Sequence, residues 1–259
     1  MRNAGDCMKM PVLFVGHGSP MNAIEDNEFS RAWRALGEGM PKPRAILAVS
    51  AHWYVPGTRV NDAEQTRQIY DMYGFPRALY RLKYEAPGAP ELAAEARALL
   101  PAAIDNRWGI DHGTWSVLCH MFPEADIPVT QLSVDLSAPA QAHYKMGQAL
   151  RPLREKDVLI LASGNVVHDL RRVAWEMEGG FPWADEFDEY IRRAIVEDRP
   201  EDVVRYERAG ACAREAFPTP DHFDPLLYAL GAREPGEPAE VFANRRVLGS
   251  LSMTGYRFG

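Results

Sequence analysis

Four apolar runs set the strongest limit on how this chain folds. They are Pro11–Val15 (PVLFV), Arg44–Ser50 (RAILAVS), Ile127–Val134 (IPVTQLSV) and Val158–Ala162 (VLILA). Continuous runs, rather than alternating ones, belong to strands covered on both faces, as in a parallel sheet. Segments with helical spacing lie between and after them. Asn27–Leu36 puts Phe29, Trp33 and Leu36 on one face, and Pro90–Leu100 opens with a proline. Thr114–Met121, Pro139–Leu150, Trp183–Glu197 and Pro200–Arg208 also read as helices, and Asp221–Leu230 starts a further one at a Thr-Pro-Asp cap. Thr58–Asn61 reads as an extra short strand and Val247–Phe258 as a late strand at a sheet edge. Alternating strands and helices predict an α/β fold, with a largely parallel central sheet and helices on both faces.

The 259 residues contain no internal repeat, low-complexity tract or linker, and Glu234–Pro238 (EPGEP) reads as a surface loop. One domain is expected over residues 11–259, after a loose N-terminal extension over residues 1–10. Hydrophobic content of 46% and charged content of 25% are ordinary for a soluble globular protein. A formal net charge of −7, with no basic cluster denser than pairs such as Arg171-Arg172, argues against a nucleic acid or an anionic membrane as partner. No apolar h-region precedes the first strand and no run approaches membrane-spanning length. Cys7, Cys119 and Cys212 are odd in number and form no CxxC, against both a disulfide scaffold and a structural zinc site. A cytoplasmic protein is expected.

Five of the seven histidines sit in short motifs at the ends of apolar segments: VGHGSP (His17), VSAHW (His52), DHGTW (His112), SGNVVHDL (His168) and TPDHFDP (His222). Strand ends are where α/β enzymes build their sites, and histidine is both the commonest metal ligand and the usual acid/base near neutral pH. His17 is flanked by glycines, which permit unusual φ and close approach. His17 and His52 each end a buried strand, so in a parallel sheet they emerge at one edge and can converge on one ion. His168 follows a third buried strand, with Asn165 and Asp169 near enough to orient its ring. His222 falls at an expected helix N-terminus, where the macrodipole favours a neutral ring. Asp111 either pairs with the His112 ring or caps the helix that follows. A hydrogen-bonded structural role stays open for each histidine taken alone, and His120 and His143, inside helices, read as structural. No GxSxG, HExxH, EF-hand loop or Walker A occurs.

The segments GHGSPMNAIEDN, SAHWY, YDMYGFP, DHGTWSVL, SGNVVHDL and TPDHFDPLLYALGA resemble the 4,5-DOPA extradiol dioxygenase family, a group of class III, LigB-like ring-cleaving enzymes. The resemblance runs from about Pro11 to the C-terminus. It implies a single α/β domain with a non-haem metal at the sheet edge. His17, His52 and His222 match the family's metal ligands. His168 matches the active-site histidine that acts as acid/base and can also approach the metal, and His112 matches the supporting histidine of the DHG motif. Class III enzymes typically hold Fe(II) with two histidines and a carboxylate. Here His222 takes the third position, and an all-histidine set also suits Zn²⁺.

The resemblance implies one divalent metal per chain, Fe(II) for turnover or Zn²⁺ as bound. The small-molecule partners are a catechol and O₂, and the product is a muconic semialdehyde. A monomer or small homo-oligomer is expected. Two other readings use the same residues: a zinc-dependent hydrolase of small amides or esters, and a non-catalytic binding relative of the same fold.

Overall fold

The computed structural model describes residues 9–259. The strands among them are β1 (Val12–Gly16), β2 (Ala45–Val55), β3 (Arg59–Val60), β4 (Ala103–Ile104), β5 (Val129–Asp135), β6 (Val158–Gly164), β7 (Ala239–Phe242), β8 (Arg246–Val247), β9 (Leu251–Ser252) and β10 (Gly255–Phe258). One sheet runs in the order β4-β3-β5-β2-β6-β1-β10-β7, and β8 pairs with β9 separately. The four apolar runs form its centre: β5, β2, β6 and β1 are mutually parallel. Antiparallel neighbours flank them, β10 on β1 and β3 on β5.

Successive residues of the central strands feed two separate cores, because side chains alternate across a strand. Leu13, Val15, Ile46, Ala48, Leu159 and Leu161 pack with Trp33, Leu36, Trp115 and Leu118 from helices Glu28–Glu38 and His112–Met121. Val12, Phe14, Leu47, Val49, Ile160 and Ala162 pack on the other face with Leu150, Ile191, Leu226 and Leu227. Those come from helices Ala140–Leu150, Pro182–Val196 and Asp224–Ala232. Helix Glu28–Glu38 starts where the sequence places it, since the Asn27 side chain accepts from the Phe29 and Ser30 amides and Ser30 answers in a capping box.

Three elements differ from expectation. β2 continues to Val55, past Ser50, with an irregularity in its pairing to β5 between Val49 and Tyr54. Tyr54 packs with the core that Ala45, Leu47 and Val49 build, so odd-to-even alternation has changed across that irregularity. The late segment Val247–Phe258 is not one strand. Leu248 (φ 55) and Gly249 (φ 77) turn the chain between β8 and β9, and β10 is covered by β7, which takes the edge. The expected helix Pro200–Arg208 ends at Val204, because Arg205 leaves helical backbone (φ −106, ψ 49) and a 3₁₀ turn, Tyr206–Ala209, follows.

Most of the expected extension over residues 1–10 lies outside the described residues. Of its last two, Met10 is buried and its amide donates to the Arg154 carbonyl, while Lys9 pairs with Glu155 and Glu234. No helix among the described residues is long and apolar enough to cross a membrane.

The loop carrying Ile69 is bound to the body by its backbone. The Ile69 amide donates to the Ile110 carbonyl (2.8 Å), and the Ile110 amide donates to the Arg67 carbonyl (2.9 Å). The fully buried Trp115 adds an Nε1–H donation to the Ile69 carbonyl at 2.8 Å. Trp115→Phe removes that donor and leaves a partly buried carbonyl short of one partner. A loss of about 1–3 kcal/mol in unfolding free energy is expected, read as a lower denaturant midpoint at unchanged slope.

Candidate metal centre

The parallel order of β2, β6 and β1 brings their C-terminal ends together. β1 and β6 stay in register up to Gly16 opposite Gly164, and the His17 amide then donates to the Gly164 carbonyl at 3.1 Å. Gly18 follows at φ +59, a conformation that turns the chain away directly after the imidazole. His52 lies within β2 rather than beyond its end. His112 is the first residue of helix His112–Met121. His222 closes the 3₁₀ turn Pro220–His222, ahead of helix Asp224–Ala232. That turn packs directly on β6: the His222 carbonyl accepts from the Asn165 amide at 2.8 Å. A Cβ at Gly164 would lie 2.1 Å from the same oxygen, so only glycine admits the turn. The expected Thr-Pro-Asp cap does not form, because the Thr219 hydroxyl bonds the Asp221 carboxylate instead. Burial, with the neighbouring histidines, keeps the His222 ring neutral.

His17, His52 and His222 converge, each offering a ring nitrogen within 4.8 Å of the others. Their ring centroids are 5.0–5.3 Å apart. The partner of each Nδ1 assigns the tautomer. Ser163 Oγ donates to the Gly113 carbonyl (2.5 Å), so it accepts from His17 Nδ1–H at 3.0 Å. Asp71 Oδ2 stands 3.1 Å from His52 Nδ1, and its charge favours the proton on that nitrogen. Asp221 Oδ2 takes His222 Nδ1–H at 2.5 Å. Each Nε2 is left with a bare lone pair. His17 Nε2 and His52 Nε2 face each other at 3.0 Å, and His222 Nε2 is buried with no partner. Burial pushes all three rings below the ordinary histidine range, His52 to about 3, and the neighbouring histidines add to the effect. Three neutral imidazoles with opposed lone pairs form a donor set that a divalent cation satisfies.

Asp71 carries no role in the sequence reading beyond its place in YDMYGFP, yet it organises two rings. Its Oδ2 also accepts His112 Nδ1–H at 2.9 Å, and its Oδ1 accepts the His112 amide at 2.9 Å. Burial alone would raise its carboxyl, but hydrogen bonds and charge from His112, then His52, outweigh this and hold it below the usual range. His52 and His112 thus lie ring against ring, centroids 4.0 Å apart. Asp111 neither pairs with the His112 ring nor caps the helix through its side chain. It is fully buried and accepts from Ser50 Oγ (2.7 Å), Gln131 Nε2 (2.5 Å) and Trp108 Nε1 (3.2 Å). Burial and the charge of Asp71 push it up to about 6, against the opposing hydrogen bonds.

His168 stacks on His222, centroids 3.5 Å apart and planes 7° from parallel. It stands outside the three-histidine group. Asn165 and Asp169 do not orient it: Asn165 Nδ2 donates to the Ser252 carbonyl, and Asp169 pairs with Arg171. Burial pushes His168 down to about 4, so its ring is neutral near pH 7. His120 meets its structural expectation, with its Nε2 on the Asn22 carbonyl while Asn22 Nδ2 donates to the His17 carbonyl.

Comparison with known proteins finds one family over nearly the whole chain. Residues 11–259 match LigB, the catalytic LigB subunit of aromatic ring-opening dioxygenase. A 4,5-DOPA dioxygenase extradiol from Escherichia coli K12 is 45% identical, covering 97% of this chain and 95% of that protein. One from Beta vulgaris is 40% identical, covering 95% of each. The crystal structure of an uncharacterized E. coli K12 protein superposes with a TM-score of 0.84 at 42% identity, covering 97% of this chain and all of the other.

Asp71→Asn leaves one acceptor oxygen for the two His112 N–H donors and removes the charge that faces His52 Nδ1. Metal affinity is expected to fall about 10–100-fold, measured by competition with a chromophoric chelator.

Proposed function

The chain belongs to the LigB family of aromatic ring-opening dioxygenases, and from that premise we propose that it opens a catechol beside its diol, using O₂ and one divalent metal held by His17, His52 and His222. Family membership makes it an extradiol ring-cleaving enzyme. The observation that carries the metal reading is the arrangement of three neutral rings whose Nδ1 atoms each face an oxygen and whose Nε2 atoms converge. Fe(II) at that point would supply O₂ activation and acidify the catechol hydroxyls, whereas Zn²⁺ would supply only the second effect.

The side chains around that point divide the remaining work. His168, neutral and beside His222, takes a proton from the catechol and returns it when the ring opens. With its Nδ1–H on Asp71, His112 offers Nε2 as a hydrogen-bond partner for the reacting oxygen. The same carboxylate holds His52, so a ligand and an oxygen-facing histidine are fixed by one group. Burial of His17, His112 and His222 keeps bulk water from these nitrogens.

The test is anaerobic Fe(II) loading followed by O₂ uptake with a panel of catechols, watching for a yellow ring-opened product. No uptake with any catechol overturns the dioxygenase reading and leaves the zinc hydrolase ahead. His17→Ala is expected to lose both metal and turnover. His168→Ala is expected to keep stoichiometric metal while kcat falls roughly 10²–10⁴-fold. Wild-type turnover in either variant would contradict the assignment.

A further inference from the structure

The strand that carries His52 loses its backbone support just where the ligand stands. β2 lies between β5 and β6 in the sheet. Its pairing with β6 ends at Ser50, opposite Ser163. Its pairing with β5 breaks after Val49 and resumes at Tyr54. His52 falls inside that break, so the regular ladder does not fix the backbone that bears its ring.

Side chains take over there. Gln131 of β5 pairs with Ala48, just before the break. Gln131 Nε2–H donates to Asp111 Oδ2 at 2.5 Å. Asp111 Oδ1 accepts from Ser50 Oγ at 2.7 Å. Ser50 Oγ in turn accepts from the His52 backbone amide at 3.3 Å. One carboxylate thus spans the two strands where their ladder opens and hands the connection on to the ligand residue. Its own seat is fixed: Gln131 Oε1 accepts from Thr114 Oγ1 at 2.9 Å, and the Thr114 amide donates to the Asp111 carbonyl at 2.9 Å. Gly113 lets this helix start approach β2, since a Cβ there would lie 2.8 Å from Ser50 Oγ and 3.1 Å from His52 Cδ2. Ser50, Asp111, Thr114 and Gln131 are all fully buried. Removing one partner therefore leaves a buried polar atom unsatisfied.

We propose that Asp111 is a positioning residue for His52. Through Ser50 it fixes the stretch of β2 that the strand ladder leaves free, and so sets where the His52 ring meets the metal. The inference rests on the metal reading above. Asp111 acts on the backbone that carries the ligand, whereas Asp71 faces the ring itself. Imidazole–metal bonds hold their length within about 0.2 Å, so a small displacement of this backbone registers in binding.

The test uses the full chain stripped of metal and titrated with Co²⁺. Its readouts are chelator-competition affinity and the visible spectrum of the cobalt form, which reports coordination geometry. Ser50→Ala removes one hydroxyl and cuts the route from Asp111 to His52 without adding volume. It is expected to weaken Co²⁺ binding about tenfold and to shift the visible bands, with the far-ultraviolet circular dichroism unchanged. Asp111→Asn sets an amide N–H among neighbours that all donate, and is expected to weaken binding at least as much. If Asp111→Asn does not fold, Ser50→Ala decides alone. A merely structural role would lower the thermal midpoint and leave affinity and spectrum at wild-type values, and that result in either variant overturns the proposal. Wild-type chain that binds no Co²⁺ overturns the metal reading and the role of Asp111 together. Wild type that binds, with a variant that matches it, overturns the role of Asp111 alone.

Discussion

The centre depends on which nitrogen of each imidazole carries its proton. A neutral histidine has one donor and one acceptor, and an acceptor at Nδ1 commits Nε2 to being the lone pair. Ser163 does this for His17, Asp71 for His52 and Asp221 for His222. Ser163 is itself committed, because its own proton goes to the Gly113 carbonyl. Were any of these partners to donate instead, its ring would turn an N–H inward and the three lone pairs would no longer meet.

Two features of the sheet make that convergence geometrically available. Parallel strands end on the same side, so His17 and the residues after β6 begin as neighbours. The pairing irregularity in β2 then redirects the part of the strand around His52, and the missing side chain at Gly164 lets the His222 turn settle onto β6. The two cores on either face of the sheet hold these backbones rigid. Burial also removes water from the rings, which keeps them unprotonated and ready to ligate. Packing and chemistry are therefore the same constraint seen at two scales.

Much of this was legible in the chain. The apolar runs at β1, β5 and β6 read correctly because continuous hydrophobicity is a local property that a two-sided core requires. The five histidines were visible because each lies next to such a run. The resemblance pointed to the right family, which the match over residues 11–259 bears out. Asp71 was missed for a physical reason: its partners lie 41 residues away in His112 and on strand β2 in His52, and nothing within YDMYGFP marks it as an acceptor. Asn165 and Asp169 were expected to orient His168 because they are near it in sequence, whereas their bonds go to Ser252 and Arg171. The late strand split because Leu248 and Gly249 take positive φ, which alternation of side chains does not reveal.

By itself, then, the sequence determined the α/β class, the parallel centre, the family and the residue types available for chemistry. The class, the parallel centre and the residue types follow from local pattern and composition, and the family from the resemblance of the motifs. Only the tertiary structure decided the proton position on each ring, the pairing of one carboxylate with two histidines, and the distance between the segments that bear His52 and His222. Those quantities are set by contacts between residues far apart in the chain, and a hydrogen bond's direction is defined only once both of its partners are in place.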